Sequence, residues 1–184
     1  VMRRSGGTTG EPITSYLDRL PRALETTALL RGWQWMGWKP GQKIIYLTGG
    51  SLGSPGHITI YDRLKQLLLG TISLPAFELK SGNAQQYFDA ISRAGPAIIV
   101  GYGSTIFRLS CMADRVNQRH MQVEQVFATA EQLPKEWAQK IKSVFMCPVK
   151  SYYGCGEVNS LGFQVEEDGP YLVPEIDFIF LFMG

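Results

Sequence analysis

Near the amino terminus, Ser5, Thr8 and Thr9 are set among Gly6, Gly7 and Gly10, with Arg3 and Arg4 before them and Glu11-Pro12 after. Glycines let a short loop turn its backbone N–H groups inward, where they cradle an anion such as a polyphosphate. The hydroxyls add donors toward phosphate oxygens, and the arginines add positive charge. A plain Gly/Ser/Thr linker has the same composition, so the loop acquires meaning only beside a second segment. That segment is Ser151-Tyr152-Tyr153-Gly154-Cys155-Gly156-Glu157-Val158. It offers in close succession an aromatic face, a glycine that lets backbone approach a ligand, and a carboxylate. Taken singly, Tyr153 also suits a core aromatic, and Glu157 a solvated carboxylate at a helix start.

The elements that must position these groups alternate between helix and strand. Residues 22–38 carry apolar side chains at helical spacing, and Pro40-Gly41 stops them. Residues 43–48 (KIIYLT) form a short apolar run suited to a buried parallel strand. Then follow a helix over 58–69 with Gly70 after its end, and a strand over 72–79. Next come a helix over 83–93 capped by Ser81 or Asn83, and a strand over 97–101. A helix over 104–119, a strand over 123–129, a helix over 134–145 and a strand over 149–153 complete the alternation. Residues 171–173 and 175–181 suit an antiparallel pair around Pro174. Such repetition predicts an α/β fold, a mostly parallel sheet with helices on both faces. Ligands of such sheets lie beyond the carboxyl ends of strands, where Thr129-Ala130-Glu131 and residues 153–157 fall. No strand is expected before the Gly-rich loop, so it enters from the side.

With 184 residues, 45% hydrophobic and 18% charged, the chain can bury a substantial core. A net charge of +2, with no Lys/Arg run longer than two, gives no electrostatic footprint for nucleic acid. No signal peptide is visible, and the apolar run over 178–183 is too short to span a bilayer. Cys111, Cys147 and Cys155 are odd in number and form no Cys-x-x-Cys pair, which favours a reducing, cytoplasmic setting. The sequence opens at the Gly-rich loop and stops within a strand-like run, 176–183. Domain boundaries are usually polar, so the expectation is an internal fragment, 1–184, of a longer enzyme.

Taken together, the two segments resemble the adenylate-forming superfamily, in which a Ser/Thr/Gly loop ending Thr-Gly-Lys-Pro holds the nucleotide's phosphates and a later Tyr-Gly-x-Thr-Glu segment serves adenine and metal. The nearest likeness is to the phenylacetate–CoA ligase and capsular-polysaccharide-type branch, with its Gly-Gly-Thr-Thr-Gly-x-Pro loop and Trp-rich helix. Gly32-Trp33-Gln34-Trp35-Met36-Gly37-Trp38-Lys39-Pro40-Gly41 stands in the place of that helix and its turn. Ala128-Thr129-Ala130-Glu131-Gln132-Leu133 looks like the family's Gly-Gly-Glu-Pro-Leu adenine-side turn. The likeness runs from the first loop to about Asp177. It implies the large nucleotide-binding domain of an ATP-dependent enzyme that activates a carboxylic acid as an acyl-adenylate and passes it to CoA. The small carboxyl-terminal lid domain would be absent, and the rest of its own chain would be the partner.

The resemblance assigns roles to residues. Ser5, Gly6, Gly7, Thr8, Thr9 and Gly10 would hold the phosphates of ATP, with Thr8 and Thr9 acting at the reacting centre. Ala130, Glu131, Tyr153 and Gly154 would lie against the nucleotide, and Glu157 would ligate Mg²⁺. Adenylation asks protein groups mainly to position reactants and neutralise charge, which suits this set. Tyr102-Gly103-Ser104 is the region suggested for the small-molecule acid. Two positions depart from the pattern. Glu11 stands where the family has Lys; at roughly 7 Å and an effective dielectric near 20, its repulsion of a phosphate costs about 2 kcal/mol. Gly156 replaces the usual Thr and removes a hydroxyl.

Other features carry less. Gly50-Ser51-Leu52-Gly53-Ser54-Pro55-Gly56, with Glu78 further on, mimics a dinucleotide fingerprint, but the glycine spacing is wrong and Pro55 interrupts it. His57 and His120 have no partners at metal spacing, so zinc is not expected. Cys155 has no histidine beside it and reads as a small residue in a turn. Trp33, Trp35 and Trp38 do not share one helix face and read as packing residues. Against the ligase stand two alternatives: a non-catalytic nucleotide-binding relative or fragment, favoured by Glu11 and Gly156, and a Rossmann-type oxidoreductase resting on residues 50–56.

Overall fold

The computed structural model describes residues 2–4, 14–16, 19–49, 70–118, 121–155 and 161–174. The phosphate loop (5–12), the Gly50–Gly56 segment, the helix expected over 58–69, both histidines, Gly156, Glu157 and the strand expected over 175–181 lie outside them. In chain order the elements are β1 (Met2–Arg4), β2 (Thr14–Tyr16), α1 (Arg19–Met36), β3 (Lys43–Thr48), β4 (Thr71–Pro75), a 3₁₀ turn (Ala76–Glu78), α2 (Ala84–Ala94), β5 (Ala97–Tyr102), α3 (Gly103–Arg115), β6 (Val123–Thr129), α4 (Lys135–Phe145), β7 (Val149–Tyr153), β8 (Gly162–Gln164) and β9 (Tyr171–Leu172). Strand pairing runs β4-β3-β5-β6-β7-β8-β9, parallel as far as β7 and antiparallel beyond it. The chain divides into two compact units, 38–151 and a second made of 1–37 with 152–184.

The 38–151 unit holds the parallel strands. Ile45, Leu47, Ile99, Val126 and Val149 belong to one buried cluster with Tyr87, Phe88 and Ile91 of α2, Ile106 and Leu109 of α3, and Ile141 and Phe145 of α4. On the alternate positions Ile44, Ile98, Val100 and Phe127 are buried too. That explains the unbroken apolar runs: strands covered on both faces lose the in/out alternation. Phe107 of α3 stacks on Trp137 of α4, with centroids 4.9 Å apart, and Lys140 pairs with Asp114 at 2.5 Å. At Gly101 in β5 an added Cβ would collide with the backbone carbonyl of Leu47 on β3, so only glycine fits.

In the other unit β1 and β2 pair antiparallel, Met2 with Tyr16 and Arg4 with Thr14. A strand therefore does precede the Gly-rich loop, contrary to the expectation. Three residues with no apolar rhythm left no trace of it. Trp33 is buried edge-on to Tyr152, Trp35 lies edge-on to Phe163, and Tyr152 stacks on Phe163. These tryptophans pack, as their spacing implied.

Other limits also move. The strand expected over 72–79 ends at Pro75, because Ala76–Glu78 turn as 3₁₀ helix. The helix expected to reach 119 ends at Arg115, where Asn117 takes a positive φ of 51°. Asn83 precedes α2 but makes no side-chain cap bond; its amide instead accepts from the Lys80 N–H and donates to the Glu78 carbonyl, both at 2.8 Å. Tyr171–Leu172 pairs with Gly162–Gln164, a strand the sequence did not announce.

Candidate functional site

Chain path selects one end of the parallel sheet. From β3 the chain moves to β4 on one side, and β5, β6 and β7 follow on the other. The strand order thus reverses between β3 and β5, and sheets with such a switch point take their ligands beyond the carboxyl ends of the strands there. Gly49 follows β3 directly and is buried. Phe77 lies across it, and a Cβ on Gly49 would overlap the Phe77 ring. Phe77 is 74% exposed and tilts against Tyr102, the last residue of β5, with ring centroids 5.9 Å apart. Its turn is fastened on both sides. The Tyr87 hydroxyl donates to the Pro75 carbonyl at 2.7 Å and the Arg108 guanidinium to the Leu79 carbonyl at 2.9 Å. Burial, and after it the nearby Glu78 carboxylate, raise the Tyr87 phenol above its usual pKa.

Beyond β6 the chain makes the turn singled out in the sequence. Thr129 is buried, Ala130 takes a φ of 69°, and Glu131 returns toward the start of α3. There the Ser104 backbone N–H donates to Glu131 Oε1 at 2.6 Å. The preceding Tyr102 supplies no side-chain cap, so this carboxylate satisfies a donor that the helix leaves open. The structure thus brings Tyr102, Gly103 and Ser104 together with Ala130 and Glu131, residues 27 apart between Ser104 and Glu131.

Tyr153 ends β7 in the second unit and is 63% exposed, which removes the core-aromatic reading. Its neighbour Tyr152 is the buried one. Gly154 follows partly covered and Cys155 is exposed; all three cysteines are free. Among the described residues no group of His, Cys, Asp and Glu could hold a metal ion, and no helix is long and apolar enough to cross a membrane. Sequence reasoning missed Phe77 and Gly49. The one signal was an aromatic two residues after the proline that ends a strand.

Comparison with solved structures fixes the fold. A 2-hydroxyisobutyryl-CoA ligase in complex with 2-HIB-AMP and CoA superposes with a TM-score of 0.60 at 16% identity, over 85% of this chain and 36% of the ligase. ATP-bound MatB from Rhodopseudomonas palustris gives 0.62 at 16%, over 94% and 32%. A malonyl-CoA ligase with methylmalonyl-CoA and AMP bound gives 0.60 at 19%, over 94% and 36%. The fold is that of adenylate-forming CoA ligases. The chain spans about a third of the length of these ligases. No family model matches the sequence, and no curated protein matches it.

Proposed function

We propose that this chain is the nucleotide-side part of the large domain of an AMP-forming acid–thiol ligase of the phenylacetate–CoA ligase type, and that the catalytic protein extends beyond these 184 residues. The reaction is attack of a carboxylate oxygen on the α-phosphorus of ATP, which breaks the bond to pyrophosphate and forms a mixed anhydride. A thiol, CoA in this reading, then attacks the acyl carbon and AMP leaves.

What supports the reading is that Ala130 and Glu131, named from the sequence as nucleotide contacts, follow the carboxyl end of β6 in a fold shared with ligases that hold ATP, an acyl-adenylate and CoA. Tyr153 offers an exposed aromatic face for adenine, and Gly154 lets backbone approach. Ser5, Gly6, Gly7, Thr8, Thr9 and Gly10 hold the phosphates. The corner of Gly49, Phe77, Tyr102 and Gly103 takes the acid.

Magnesium bound with ATP needs only one or two protein carboxylates, because phosphate oxygens supply other ligands. Glu157 fits that demand chemically, although the described residues add no ligand cluster of their own. The metal would neutralise charge on the departing phosphates.

The test is isotope exchange between pyrophosphate and ATP in the full-length protein, with phenylacetate, benzoate, malonate and 2-hydroxyisobutyrate supplied in turn. Acid-dependent exchange is expected with at least one class. Exchange that ignores the acid, or none with any, would remove the assignment.

A further inference from the structure

Glu131 is the one side chain of the β6 turn whose carboxylate reaches another element of the site. Its Oε1 accepts the Ser104 N–H at 2.6 Å, at the second residue of α3. The turn that carries it leaves little slack. Thr129 is buried before it, and Ala130 occupies left-handed backbone without being glycine. A Cβ on Gly103 would stand 3.1 Å from Leu133 Cδ1, 3.8 Å from Glu131 Oε1 and 3.9 Å from Ala128 Cβ, so the turn lies close against the start of α3. Tyr102, one residue before that start, is half of the aromatic corner with Phe77.

We infer that Glu131 is a positioning residue that couples the two halves of the site: a nucleotide held at the Ala130 turn orders the start of α3, and with it the corner that receives the acid. The inference rests on the ligase reading, since it takes the Ala130 turn as the nucleotide's side. A ligand that fixes Ala130 and Glu131 also fixes the acceptor of the Ser104 N–H, and so favours the closed first turn of α3. Linkage then requires the converse, with acid bound beside Tyr102 tightening the hold on nucleotide. Glu131 transfers no proton and touches no reacting atom in this role.

The test is hydrogen exchange of a peptide covering residues 102–107 in the full-length protein, with and without saturating ATP, for wild type, Glu131→Ala and Glu131→Gln. ATP affinity is measured separately by calorimetry. In wild type, ATP should slow exchange at 104–106 by about tenfold. Glu131→Ala, held at an ATP concentration that its own calorimetric titration shows to be saturating, should lose that slowing. Glu131→Gln keeps an oxygen that accepts the same bond and should retain it. A purely structural cap would raise exchange of the Ala variant in the absence of ATP but leave the ATP increment intact. An intact increment in Glu131→Ala, its loss in Glu131→Gln, or a wild type that binds ATP without slowing exchange there would overturn the coupling and leave the ligase reading standing. A wild type that binds no ATP would remove the ligase reading, and the coupling with it.

Discussion

Ala130 and Glu131 show what a single turn demands of its residues. A non-glycine residue at a φ of 69° is uncommon, and bulk at Cβ makes it costly. Ala130→Gly should therefore keep or slightly raise stability, whereas Ala130→Val should lose about 1–2 kcal/mol; urea midpoints of the two variants check this. Glu131→Ala removes an acceptor at the start of α3 and should cost about 1 kcal/mol, a modest figure because the side chain is solvent-exposed. The three atoms nearest a Cβ at Gly49 all belong to the exposed ring of Phe77, the end of a side chain that can swing aside. The fold should survive Gly49→Ala while affinity for the activated acid shifts, readable as a change in the acid's KM at unaltered melting temperature. On the proposed reading no thiol chemistry falls to Cys155, so in the full-length protein Cys155→Ala should leave adenylation near wild type, while Glu157→Gln should depress it sharply. The reverse pattern would point to a covalent thiol route.

At the scale of elements, β3 and β5 hold the sheet together and carry its least forgiving positions. Gly101→Ala places a methyl group on the Leu47 carbonyl, a backbone atom that cannot rotate away, and should cost about 2–3 kcal/mol in chemical denaturation. Burial raises the Tyr46 phenol on β3 to about 12. The folded state then keeps a proton that the unfolded chain gives up near pH 10, so stability falls as pH rises from 10 toward 12. Melting curves across that window should fall more steeply for wild type than for Tyr46→Phe. Met146 closes α4 in left-handed backbone at a φ of 55°, so Met146→Gly should add about 0.5–1 kcal/mol. These elements also show what the sequence made legible. The limits of β3 were readable because KIIYLT is a short apolar run between Gly41 and Gly49, and those of β7 because Pro148 and Gly154 bracket β-branched and aromatic residues; β6 was read from its β-favouring residues between two helical stretches. The end of β4 was not, since Pro75 suits an edge strand as well as the turn that follows. Three-residue strands such as β1 and β8 have too few positions to show a period. Tyr153 and Glu131 were found as parts of local motifs. The bond from Ser104 to Glu131 and the seating of Phe77 over Gly49 join residues 27 or more positions apart, which local pattern does not encode.

For the molecule as a whole, strand order explains why chemistry gathers where it does. Among the described residues the parallel strands change order between β3 and β5, and such a switch point serves ligand binding whatever the reaction, so fold alone is compatible with several activities. The likeness in fold to CoA ligases covers 85% or more of the chain, and the proposed nucleotide roles of the Ser/Thr/Gly loop, the Ala130 turn and Tyr153 are what the following measurements test. Reversing the charge at Glu11 probes the phosphate loop directly. Glu11→Lys should raise ATP affinity or leave it unchanged, with any gain shrinking as salt rises, in calorimetric titrations at low and high ionic strength. Acyl-adenylate formation itself is read most directly by following oxygen. The full-length protein is given ATP, Mg²⁺, CoA and, in ¹⁸O-carboxylate form, the acid that best drives pyrophosphate exchange, and the nucleotide product is weighed. Attack of the carboxylate on the α-phosphorus carries one labelled oxygen into AMP when the thioester forms, so labelled AMP with equimolar pyrophosphate is the predicted result. Unlabelled AMP, or ADP and phosphate in its place, would contradict it.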